Sequence, residues 1–83
     1  MADETGTWEA LIGEPTGIEH AWAIVQQCQP ERAVQAAMQR ATQKYGPQDW
    51  SRWRFRAEWM SQPVVLGTVY FGWTNGELRR ATR

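Results

Sequence analysis

Apolar positions change period several times along this chain, and each change marks an element. In "TWEALIGE", Trp8, Ala10 and Ile12 share one parity, which predicts a short strand, and "PTG" at 15–17 supplies a turn. Residues 1–6 are polar and read as a frayed start. The segment "IEHAWAIVQQC" fits two patterns. As a helix, Ile18, Trp22 and Val25 share a face, and Thr16 with Glu19 makes an S/T-x-x-E capping box. As a strand, it sets β-branched Ile24 and Val25 beside Trp22 and ends where Pro30 opens a new element. The strand is favoured, because "QPERAVQAAMQRATQKYG" already supplies a helix with its own start.

That helix is read over about residues 30–45. Pro30 suits its first position, Glu31 the positive end of its dipole and Lys44 the negative end. Val34, Ala37, Met38, Ala41 and Tyr45 recur at three- and four-residue steps, and Gly46-Pro47 stops the run. The stripe is narrow and alanine-rich, which allows close packing on a sheet.

From Trp50 the period becomes two. "WSRWRFRAEW" places Trp53, Phe55, Ala57 and Trp59 on one side and Trp50, Arg52, Arg54, Arg56 and Glu58 on the other. "VVLGTVYFGWT" reads as the next strand, with Gly67 and Gly72 marking a bulge or a close approach. Asn75-Gly76 is a strong two-residue hairpin signal, which pairs Thr74 with Glu77 and Trp73 with Leu78. A three-residue loop, Ser61-Gln62-Pro63, then keeps the apolar set on one face. It pairs Trp59 with Val65, Phe55 with Val69 and Trp53 with Phe71. The expected fold is α+β in two layers: β-β-α-β-β-β with a C-terminal three-stranded meander and one helix over the aromatic side of an antiparallel sheet.

Length sharpens this picture. An 83-residue chain is read as one small domain, and a chain of that size buries only about 60% of its unfolded surface. Cys28 is the only cysteine, so no disulfide can compensate; a lone thiol suits a reducing, cytoplasmic compartment. The six tryptophans can compensate, at roughly 150–250 Å² buried by each aromatic ring. So many in so short a chain also raise the expectation of a self-associating or partner-binding face. "MADETGTWEA" lacks the basic and apolar regions of a signal peptide, and no apolar run approaches the roughly 20 residues of a membrane span.

Net charge is zero, yet it is divided. Residues 1–31 hold six acidic side chains and no Lys or Arg, whereas residues 32–83 hold nine basic against three acidic. Either the chain carries a basic binding surface, or its acidic first third folds onto the rest.

Catalytic chemistry finds little to use. His20 and Cys28 are separated by about 26 Å in a strand or about 12 Å in a helix, too far for a working pair. One His and one Cys do not make a zinc site, and no phosphate-binding glycine motif is present. Glu9, Glu14 and Glu19 could line an acidic edge, but nothing singles out a catalytic pair. The chain is read as non-enzymatic, with no cofactor and no metal.

What remains is the outward face of the meander. The expected register sets Arg54 opposite Tyr70, Arg56 opposite Thr68 and Gly72 between Arg52 and Arg79. Arg52, Arg54, Arg56, Arg79 and Arg83 would surround Tyr70, with Trp50 at the margin. The leading reading is a small adaptor, regulator or inhibitor that binds a protein partner or itself, as a dimer, through a sheet face or edge. The alternative is a single-stranded nucleic-acid binder, with arginines on phosphates and aromatic faces under bases.

Overall fold

The structure is a computed structural model that describes residues 3–61 and 66–81. It has five strands and one α-helix: β1 (Gly6–Gly13), β2 (Glu19–Cys28), α1 (Pro30–Tyr45), a single 3₁₀ turn (Trp50–Arg52), β3 (Arg54–Trp59), β4 (Thr68–Thr74) and β5 (Glu77–Arg80). All pairings are antiparallel, in the order β2-β1-β3-β4-β5. The α+β arrangement and the C-terminal meander are those expected from the sequence.

β1 lies between β2 and β3, and its inner parity is fully enclosed. Trp8 and Ala10 are 0% exposed and Ile12 is 1%. The Trp8 indole N–H donates to the Glu4 carbonyl at 2.8 Å, so a polar atom inside the core keeps a partner. Residues 1–6 are therefore not all frayed: the Thr5 hydroxyl accepts from Gln29 at 2.9 Å and Gly6 opens β1, while residues 1 and 2 lie outside the described residues.

Residues 19–28 are a strand, and the Thr16–Glu19 capping box is unused. Two irregularities bend β2 against β1. The register slips between Ala10 and Leu11, leaving Trp22 unpaired between Ala21 and Ala23, and slips again near Cys28, where Gln27 adopts φ 52°. The first slip has a packing consequence. Trp22 turns to the helix side, edge-on to Tyr45 at 5.8 Å.

α1 behaves as its sequence predicts. Pro30 occupies the first turn, and the Gly46 N–H donates to the Thr42 carbonyl at 2.9 Å with φ 72° at the glycine. Pro30, Ala33, Val34, Ala37 and Ala41 are buried against β2, β1 and β3. Met38 and Tyr45 flank this stripe, half-buried.

Two expectations for the meander are corrected. Trp50 is not on the outward face. It belongs to the 3₁₀ turn, held by Asp49 accepting from the Ser51 N–H and hydroxyl, and it is 7% exposed against Trp53 at 4.8 Å. An indole of that size stabilises far more by burial than it could at a wet margin.

The β3–β4 register is the second correction. Phe55 pairs with Phe71, Arg56 with Tyr70, Ala57 with Val69 and Glu58 with Thr68, and the Trp59 N–H donates to the Gly67 carbonyl at 2.9 Å. Every pair is shifted by two residues from the expected one, so the connection is longer than Ser61-Gln62-Pro63. Gln62, Pro63 and Val65 lie outside the described residues. A shift of two preserves the faces, since side chains alternate with period two, and it sets two buried phenylalanines opposite each other. β4 accordingly begins only at Thr68, with Gly67 at φ 78° just before it. The β4–β5 hairpin is as expected, with Asn75 and Gly76 at φ 53° and 81°, Thr74 paired with Glu77 and Trp73 with Leu78.

Candidate functional site

α1 and the 3₁₀ turn lie on one side of the sheet, and no described element covers the other. Strand parity assigns that outer face. On β1 the inward set is Trp8, Ala10 and Ile12, so Glu9, Leu11 and Gly13 point outward; on β3 the outward set is Arg54, Arg56 and Glu58. Cross-strand pairing then orders the face into three rows. One holds Ile24, Glu9, Glu58 and Thr68; the next Ala21, Leu11, Arg56 and Tyr70; the third Glu19, Gly13 and Arg54, with Gly72 and Arg79 beyond.

The acidic first third does not cover this face; it extends the sheet as β1 and β2, and Glu19 reaches across to pair with an arginine there. Glu19 grips Arg56 with both carboxylate oxygens, at 3.0 Å from Nε and 2.6 Å from Nη2. Glu58 takes the remaining nitrogen, Nη1. The bidentate pair holds the Glu19 carboxyl below its usual range and pushes the Arg56 guanidinium up. Gly13 lies between Glu19 and Arg54 in its row, and the Arg54 guanidinium fills the space a side chain there would take.

A second junction lies off the face. Arg80, paired with Phe71 at the end of β5, bonds both Glu4 and Glu31, joining the N-terminal segment, the helix start and the last strand. Glu31 is held low by this contact, and Arg80 is pushed up chiefly by it. Three of the six acidic residues before position 32 thus pair with arginines after it, and much of the charge division is neutralised inside the molecule.

The candidate basic residues consequently separate. Arg54, Arg56 and Tyr70 come together around an open cleft of about 280 Å³, with Glu19 on its rim. Arg79 stands across the open Gly72 position but is bound to Glu77. Arg52 is exposed in the 3₁₀ turn rather than in the sheet, and Arg83 lies outside the described residues. Arg54 alone in this cluster forms no ion pair with a described residue; its guanidinium lies over Gly13, close to where a side chain there would stand. Tyr70 is 48% exposed.

The acidic-edge residues do not converge as a set. Glu14 approaches His20 at 3.8 Å and accepts from the Tyr45 hydroxyl at 3.4 Å, Glu19 belongs to Arg56, and Glu9 stands on the outer face opposite Glu58. Cys28 is buried, and burial pushes its thiol up, away from the reactive thiolate. Among the described residues, no three His, Cys, Asp or Glu side chains cluster as a metal site, and no helix is long and apolar enough to cross a membrane.

The face also contains residues that sequence reasoning left aside. Ile24 is 58% exposed on β2, an edge strand, and Leu11 sits half-buried on β1 beside that edge. From His20 to Gln29 the edge carries no Asp, Glu, Lys or Arg. Its main local cover is Arg40, which reaches from the helix to donate to the Trp22 carbonyl at 2.6 Å. The signal for Leu11 was its parity, opposite to Trp8 and Ile12, which gains meaning only once β1 is known to lie beside β3. Comparison with known proteins finds no family model, no curated protein and no solved structure that matches this chain.

Proposed function

We propose that this protein is a small non-enzymatic interaction module, an adaptor, regulator or inhibitor acting in a reducing cytoplasmic setting. It binds through the uncovered sheet face and its β2 edge. The observation that carries this reading is Ile24, a large apolar side chain left 58% exposed where the open face meets the open edge. A long edge strand is ordinarily blunted by charge, proline or a covering element, because its free backbone groups invite another chain. Here the edge from His20 to Gln29 is uncharged and is interrupted by two bulges.

The nucleic-acid alternative draws less support. It relies on free arginines, and Arg56 and Arg79 already hold carboxylates. Counterion release requires cations that are free to neutralise phosphate.

Site-specific photocrosslinking in the cells that make the protein tests the proposal. A benzophenone side chain at Ile24 is expected to form adducts, with the chain itself or with another protein, that are missing when the same group replaces exposed Gln43 on α1. Equal adduct yields at the two positions would overturn it.

A further inference from the structure

We infer that the outer sheet face is self-complementary and that its occupant is a second copy of this chain. The inference rests on the interaction-module reading and names the partner of that same face. Its basis is the position of the charges left unpaired. Glu9 forms no ion pair with a described residue, and Arg54 is the face's unpaired cation. They lie in different rows, one on each side of the row that holds Leu11, Arg56 and Tyr70.

A two-fold axis along that middle row, in the plane between two copies, has a definite effect. It turns the second copy's face over and exchanges the outer rows, while each strand faces its own counterpart. Glu9 is then set over Gly13 of the second copy. The Arg54 guanidinium occupies that spot, its Nη2 3.0 Å and its Nε 3.1 Å from where a Cβ on Gly13 would be. Glu9 and Gly13 are four residues apart, about 13 Å along the strand, with Leu11 midway. Leu11 therefore falls on the axis against its own copy, and Tyr70 does the same on β4.

The exchange has a steric counterpart. Thr68 of one copy is set over Gly72 of the other, and the space above Gly72 is empty to 4 Å from an added Cβ. Arg56 lies on the same row and therefore faces its own copy across the axis; each guanidinium enters already paired with Glu19 and Glu58, so two neutralised clusters meet rather than two bare cations. The product is a helix-sheet-sheet-helix sandwich with isologous contacts, each made twice.

The experiment is a charge exchange in trans, read by sedimentation equilibrium at low salt with circular dichroism to confirm the fold. The wild-type chain is expected to dimerise. Glu9→Arg alone and Arg54→Glu alone are each expected to raise the dissociation constant about tenfold or more, since each sets like charges together twice. An equimolar mixture is expected to dimerise more tightly than either variant alone, because in the mixed dimer both contacts between positions 9 and 54 join opposite charges. Wild-type protein that stays monomeric at millimolar concentration, or a mixture no tighter than its components, would refute the inference. If either variant fails to fold, Leu11→Cys in a Cys28→Ser background replaces it. A short bismaleimide should then link two copies through position 11, as facing sheets stand about 10 Å apart; failure to link counts against the dimer. Adducts at Ile24 containing only other proteins would remove the self-partner while leaving the interaction module standing.

Discussion

Ala37 is completely buried where α1 meets the sheet, between Ala33 and Ala41 on the same stripe. Replacing it by leucine adds three carbons at a surface that alanine lets approach closely. The sheet under the helix has no slack to yield, since the core residues Trp8 and Ile12 of β1 and Phe55 of β3 are each at most 1% exposed, so the helix itself must move. Overpacking of this kind costs about 1–3 kcal/mol. A chain of 83 residues holds a total stability of about 4–12 kcal/mol at the usual 0.05–0.15 per residue. For a domain this size each kcal/mol moves the melting temperature by about 4–8 °C, so a central loss of about 2 kcal/mol lowers it by about 8–16 °C. Gln43→Leu on the exposed side of α1 is the control. It has nearly the same helix propensity as glutamine and is expected to stay within about 0.5 kcal/mol of the parent. Thermal unfolding followed by circular dichroism and by tryptophan fluorescence gives both numbers. Equal melting temperatures for Ala37→Leu and Gln43→Leu would refute the close helix-sheet contact on which the buried alanine stripe depends.

Two further outcomes follow from the same packing and charge arrangement. Gly6→Ala is expected to destabilise the fold by about 1–3 kcal/mol, because the added methyl falls inside the Trp59 ring, which itself stacks edge-on to buried Trp8 at 5.1 Å; urea unfolding in which Gly6→Ala matches the parent would contradict that contact. Glu31 has a folded pKa below the ordinary glutamate value, chiefly through its hydrogen bond from Arg80, so the native state binds fewer protons there than the unfolded state. The stability from that contact is fully present above about pH 5 and is lost as pH falls through the depressed folded value. Arg80→Ala should therefore destabilise modestly at pH 7, by about 1 kcal/mol for a half-exposed junction, and by less at pH 3. A gap between variant and parent that widens on acidification would reverse the sign and reject the linkage.

How much of this was legible in the sequence depends on whether a signal is local. The helix could be read because Pro30, the alanine stripe and Gly46 each act within a few residues, and the Asn75-Gly76 hairpin because both φ > 0 positions are set by two adjacent residues. The parity of Phe55 and Phe71 was legible too, since exposing an aromatic row would cost more than any loop could return. Their register was not. Faces repeat every two residues, so the sequence excludes a shift of one and is silent about a shift of two. The choice rests on which aromatic meets which across the strands. Trp50 was misplaced for a related reason: period-two counting assigns a face only inside a strand, and Asp49 delays the start of β3 to Arg54 by capping a turn.

The site follows the same logic. That Arg54 and Arg56 point outward was readable from β3 alone. That Glu19 grips Arg56, while Arg54 lies over Gly13 and acts on Glu19 only through its charge, depends on β1 lying between β2 and β3, a fact no local pattern encodes. The distinction matters for function. A row of equivalent free arginines would be a surface for any polyanion. One unpaired cation on one side of the row that holds Leu11, Arg56 and Tyr70, with one unpaired carboxylate on the other, is instead the arrangement from which a second copy of this chain is proposed as the partner.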